Sequence, residues 1–314
     1  MGAANGAVMN AGARTADPAP LATRERGWTW WVGAAISASV LVAVILQLRT
    51  VDFADVRALL PTSPLFWLVF AASYMAGPVA DWVIYRRLWQ IPAAGITALL
   101  RKLIGNELLF GYVGELYLYT WARRRTEMTS TPFGAIKDVA ILSAMVANAV
   151  TLGLLLLAYP LLGALNLGID GRTLLISVAV VVATSSVVLL FRKKLFSLSR
   201  PDLRFVGGVH LVRIFSTTGL AALCWHLALP QVALQWWLLL AALRMLLSRL
   251  PLLPNKDLVF AGLAVFMIGR DAEIGALMTM MASIILATHM GLGLMLTAAD
   301  AQGMARNARE PAQR

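Results

Sequence analysis

Charge is scarce in this chain. Only 14% of its 314 residues are Asp, Glu, Lys or Arg, where a soluble domain carries about 25%. That shortage argues against a soluble fold, the alternative being an unusually apolar soluble helical protein. Cysteine is almost missing as well. A single Cys224 allows no internal disulfide, and in its apolar run it reads as a packed thiol. The three histidines, His210, His226 and His289, are scattered without metal-ligand spacing. No Asp-rich motif, Ser/His/Asp grouping or Walker loop occurs, so no catalytic residue, cofactor or metal is expected and the chain is not read as an enzyme. Period-two alternation is lacking too, which excludes a transmembrane β-barrel. Extended polar stretches are confined to residues 1–27 and 299–314, leaving no room for a soluble domain.

What the chain does have is apolar residues, 59% of the total, with a mean hydropathy of +0.74. Successive apolar runs reach about 18 residues or more, enough to cross roughly 30 Å of hydrocarbon. The net charge of +11 would point to nucleic acid in a soluble protein. Here the cations gather at the ends of apolar runs, the pattern of membrane topology and of attraction to anionic lipid, and no nucleic-acid partner is expected. The expected architecture is an all-α, polytopic transmembrane helical bundle of about 7–8 spans, with one or two re-entrant or broken helices and room for two structural repeats. It divides into a disordered cytoplasmic tail at 1–27, one membrane domain at 28–298 and a polar tail at 299–314.

Charge at the loops orders the spans. Trp28, Trp30 and Trp31 open a first span running to about Leu48, too long for a cleaved signal peptide, with Arg24 and Arg26 on the cytoplasmic side. The neutral loop Arg49–Ser63 suits the outside. A second span runs from Pro64 to Tyr85, with Asp81 in its last turn and a kink expected at Gly77-Pro78. Arg86 and Arg87 return the chain to the cytoplasm. Later spans are expected over Lys137–Ala158, Leu174–Phe191, Phe205–Leu229, Gln231–Leu250 and Ile274–Ala298. A short apolar piece over Leu258–Ile268 either crosses or turns back. The implied location is the inner cell membrane, multi-pass, with a cytoplasmic N-terminus.

One stretch stands apart. Asn106-Glu107 and Gly114-Glu115, with Gly111 between them, lie in an apolar segment bounded by Arg101-Lys102 and by Arg123-Arg124-Arg125. Carboxylates at such depth are costly and are usually kept for function. Basic residues at both ends favour a broken or re-entrant helix, because a crossing would put one cluster outside; an imperfect crossing helix is the other reading. A weaker counterpart, Asn255-Lys256-Asp257 after Pro254, lies about 149 residues on. Interrupted apolar segments in matching halves point to a midplane site in repeat-built transporters, although two helix-breaking loops can also be alike by chance.

These residues carry a resemblance. Asn106, then Gly111-Tyr112-Val113-Gly114-Glu115 and a basic cluster, is similar to the Asn…Pro-Gly-x-x-Gly-Glu…Arg signature of the lysylphosphatidylglycerol synthase transmembrane region, a flippase-like membrane family. Arg249-Leu250-Pro251 through Pro254 resembles its second piece, over an extent of roughly Leu41 to Leu296. Phe110 stands where the family has proline, Tyr112 where a basic residue is common, and Asn255-Lys256 where it has paired glycines, so the chain resembles a divergent member without the synthase domain. The resemblance implies handling or flipping of a lipid or lipid-linked head group.

The expected substrate-binding residues are Asn106, Glu107, Gly111, Gly114, Glu115, Arg213, Asn255, Lys256 and Asp257. Arg123, Arg124 and Arg125 would attract phosphate, since guanidinium binds it bidentately; topology alone also accounts for them. On an unbroken helix Glu107 and Glu115 would stand about 80° apart. They either meet a head group or form internal salt bridges to Arg213 or Lys137. Membrane lipids, anionic or lipid-linked, are the expected partners. A membrane scaffold or regulator is the alternative function, with a lipid-linked transferase behind it.

Overall fold

The computed structural model describes residues 60–109, 113–123, 132–162, 171–191, 195–249, 260, 263–264, 267–269 and 271–309. Among these the chain is helical and holds no strand. The helices are α1 (Pro64–Trp89), α2 (Ile96–Leu108), α3 (Val113–Arg123), α4 (Pro132–Leu162), α5 (Gly171–Leu190), α6 (Arg200–Ala228), α7 (Leu234–Arg249) and α8 (Asp271–Arg309). Among the described residues, four helical stretches are long and apolar enough to cross a membrane: Pro64–Trp89, Pro132–Leu156, Arg200–Ala228 and Glu273–Ala299. A helical membrane bundle is therefore what the described residues form. The expected first span, the Leu258–Ile268 piece apart from a few of its residues, and Asn255-Lys256-Asp257 lie outside them.

Local chemistry sets the helix ends. Proline at the first position starts α1, because its missing N–H would have no helical partner there. The helix runs as one element past Gly77-Pro78 and stops at Gln90, whose φ of 54° is left-handed and whose N–H reaches the Arg86 carbonyl. Arg86 and Arg87 complement the negative end of its dipole. Helix α6 begins earlier than the apolar pattern indicates, at Arg200. Ser199 caps it, its Oγ accepting from the Asp202 N–H, and Pro201 follows. Helix α4 likewise starts at Pro132, ahead of the expected Lys137, and passes Pro160 to end at Leu162. Helix α8 continues to Arg309 and so takes in most of the polar tail.

The surface is inverted relative to a soluble protein. Leu68 is 68% exposed, Phe215 61% and Leu190 79%, as side chains facing lipid would be. The interior forms two main clusters. One joins Phe66 and Phe70 of α1 to Trp225 of α6, Trp237 and Leu240 of α7, and Ile274 of α8. The other joins Ile84 and Tyr85 of α1 to Leu99 of α2, Leu118 of α3, Ile136 of α4 and Val206 of α6. The start of α1 thus meets the end of α6 and its end meets the start of α6, so the two run antiparallel. Arg87 and Asp202, 3.0 Å apart, close that end.

The focal stretch is broken. Leu109 leaves the helical region at φ −114° and ψ −95°, and the chain resumes as α3. The two helices form an antiparallel hairpin: Arg101 Nη1 donates to the Tyr117 hydroxyl at 3.2 Å, and nearer the tip Gly114 N–H donates to Asn106 Oδ1 at 2.7 Å. Gly114 is required by the closeness of this packing. A Cβ there would stand 2.1 Å from the Lys102 carbonyl oxygen. Arg101 also ties the hairpin to α8, donating to the Leu296 carbonyl at 3.0 Å.

Candidate functional site

Helix α2 presents two polar faces. Lys102 and Asn106, one turn apart, face the hairpin partner α3. Leu103 and Glu107, also one turn apart, face a cavity of about 600 Å³ bounded by α1, α2, α6, α7 and α8. The break at Leu109 then separates the two glutamates. Glu107 lines this first cavity. Glu115 lines a second, of about 540 Å³, with Lys137, Asn148 and Ser185. The sequence pairs them, and the fold assigns each its own space.

The first cavity is mostly apolar, with Phe70, Leu103, Trp225, Met278, Met281 and Ile285 among its walls. Among the described residues that line it, the formal charges are Glu107 and Arg244. Both are exposed. Among the described residues, Glu107 has no cationic partner within 4.0 Å, and neither does Arg244 meet a carboxylate. The Arg244 guanidinium instead lies 5.6 Å from the centre of the Phe260 ring, a cation–π contact. Tyr74 and His289 add neutral polar groups: the Tyr74 hydroxyl and His289 Nδ1 share a hydrogen bond of 2.8 Å across α1 and α8. Pro78 lies four residues after Tyr74 and has no N–H to offer the Tyr74 carbonyl.

Glu115 belongs to a compact charge cluster. Lys102 Nζ lies 2.7 Å from Asp81 Oδ2 and 3.4 Å from Glu115 Oε1, with the three side chains 13%, 10% and 20% exposed. One ammonium thus holds α1, α2 and α3 together. Such a pair, once buried, contributes most by making its partners indispensable, since losing one strands a charge. The expected bridges from the glutamates to Arg213 or Lys137 do not form among the described residues. Arg213 Nη2 donates to Ser143 Oγ at 2.8 Å, linking α6 to α4. Glu115 Oε2 is buried without a hydrogen bond.

Lys137-Asp138 stands in the second turn of α4, not at its start. Asp138 is fully buried, and its Oδ2 accepts from Ser197 N–H at 2.6 Å, Ser197 Oγ at 2.9 Å and Leu198 N–H at 2.8 Å. Lys137 Nζ sits 3.3 Å from Asp138 Oδ1 and donates to the Leu195 carbonyl. The pair pins the 195–199 connection onto α4. Arg123 donates to the Tyr119 hydroxyl at 2.8 Å along its own helix. Gly111, Arg124, Arg125, Asn255, Lys256 and Asp257 lie outside the described residues.

Sequence reasoning missed Tyr74, His289, Arg244 and Lys102 as members of polar sites. For Lys102 a signal was there: a cation four residues before Asn106 shares its helix face. For Tyr74 and His289, 215 positions apart, no local signal exists. Comparison with protein-family models, with curated proteins and with solved structures finds no match to this chain.

Proposed function

We propose that this chain is an integral membrane protein that binds the charged head group of a lipid or lipid-linked molecule in the first cavity and carries it between leaflets. The observation that carries this reading is the pairing of one carboxylate and one guanidinium, each without an oppositely charged partner among the described residues, in a cavity with otherwise largely apolar walls. Cavities that hold small ligands run to about 300–1,000 Å³, apolar with a few placed polar groups, and this one falls in that range. Ionisable side chains within membrane segments mark substrate paths by default. The similarity of Asn106 and Gly111–Glu115 to the flippase-like signature supports the same reading, and the cations at the ends of the apolar runs favour an inner-membrane location with the N-terminus inside. With no nucleotide-binding motif in the sequence, movement would be passive or driven by an ion gradient.

The test is reconstitution of the full chain into liposomes carrying lipids fluorescent on an acyl chain. Ala282 lines the cavity and is exposed within it. Ala282→Phe should fill the space and slow lipid movement at least about tenfold, the ratio that 1.4 kcal/mol represents, with the protein still folded and inserted. A folded wild type that moves no lipid would rule the reading out. A scaffold role has one observation on its side: Glu115 already serves Lys102, so one of the two glutamates is accounted for by architecture.

A further inference from the structure

Within that reading, we propose that the head group is zwitterionic, carrying an ammonium for Glu107 and a phosphate or carboxylate for Arg244. The inference rests on the proposed site and on its charge balance. The expectation from overall charge is an anionic lipid, drawn by the net +11. The cavity itself is different. Among the described residues one carboxylate and one guanidinium line it, so their formal charges cancel. An anionic head group would satisfy Arg244 and leave Glu107 unpaired in the same cavity. A cationic one would do the reverse. An unpaired charge in a mostly apolar cavity disfavours the head group that leaves it so.

Among the described residues, the other charges nearby do not alter this balance. Lys102 faces away, towards Asp81 and Glu115, and is held by both. Arg213 is turned to Ser143. Arg101 is engaged with Tyr117 and the Leu296 carbonyl. The apolar walls suit an amphiphile: Leu103, Met278 and Ile285, none of them buried, offer apolar faces to the glycerol and first methylenes of an acyl chain. A free phosphoethanolamine-like solute has the same charges but would leave those faces uncovered, so the lipid is the source the cavity favours.

The experiment uses the full chain in liposomes with three acyl-labelled lipids that share their chains: phosphatidylethanolamine, anionic phosphatidylglycerol and a cationic trimethylammonium-propane lipid. Wild type should move the ethanolamine lipid at least about tenfold faster than either singly charged one, since a charged hydrogen bond unmade forfeits about that factor or more. Glu107→Gln should shift the preference to the anionic lipid and Arg244→Gln to the cationic one. Equal movement of all three by wild type, or variants that move lipid with an unchanged preference, would overturn the zwitterion assignment while leaving translocation intact. If folded wild type moves none, the translocation reading fails. Thermal stabilisation of detergent-solubilised protein by each lipid then decides the head-group assignment, which stands only if the ethanolamine lipid stabilises most. Excess soluble phosphoethanolamine should not compete; if it does, the requirement for a lipid is wrong.

Discussion

Lys102 and Gly114 are the two residues whose loss the structure should tolerate least. Lys102 is the sole cation within 4.0 Å of Asp81 and of Glu115 among the described residues. Lys102→Met strands two carboxylates, and breaking a buried pair costs about 3–5 kcal/mol. Thermal unfolding of the detergent-solubilised protein should show that loss, and adding Asp81→Asn with Glu115→Gln should restore much of it. If the triple variant is no more stable than Lys102→Met alone, the lysine acts through packing rather than charge. Gly114→Ala drives a methyl into the Lys102 carbonyl, at 2.1 Å. The hairpin must open by an ångström or more, at a cost of about 1–3 kcal/mol or beyond. Ala at Gly77 or Gly208, where a Cβ meets nothing within 4 Å, should be stable by the same assay. By contrast, Glu115→Gln keeps Lys102 paired with Asp81. It should leave lipid movement within about a factor of five, the ratio that corresponds to the about 1 kcal/mol such an ion-pair contact is worth.

At the scale of elements, much was legible and the reasons are physical. Apolar runs of span length read directly as helices, and glycines bracketed by basic residues read as a break, because both signals are local. The cap at Ser199 is not legible in the apolar pattern, because the first turn it starts, Arg200-Pro201-Asp202, is polar. The partners of the two glutamates were not legible either. A break rotates one half of the segment against the other, so spacing measured on an ideal helix no longer says which side chains meet. Asp138 illustrates the same limit: its partners lie 59 and 60 positions away, beyond any periodicity. It also makes a separable prediction. Asp138→Ala removes the acceptor for two backbone N–H groups and one hydroxyl, so the 195–199 connection should lose its anchor. Hydrogen exchange at Ser197 and Leu198 should rise at least about tenfold, the equivalent of 1.4 kcal/mol, while the exchange of α1 is unchanged.

At the scale of the molecule, the hairpin decides the topology. The end of α1 meets the start of α6 through Arg87 and Asp202. Tyr119 near the end of α3 meets Phe133 at the start of α4, ring centres 6.3 Å apart. Arg101 and Tyr117 are bonded across the hairpin, so its two open ends point the same way. The start of α2, the end of α3 and the start of α4 therefore share a side, and with them lie Arg86, Arg87 and Arg200. A cytoplasmic excess of Arg and Lys is what sets orientation, and a crossing α2–α3 segment would have split that excess between two sides. Single cysteines test this on a Cys224→Ala background. Ala94→Cys, Thr126→Cys and Arg200→Cys should all react with a membrane-impermeant maleimide only after the cytoplasmic face is opened. Labelling of Thr126→Cys from the outside, with the other two protected, would mean that the segment crosses. Glu107 would then lie on a through-going helix, and the cavity it lines would need a different boundary from the one α2 gives it.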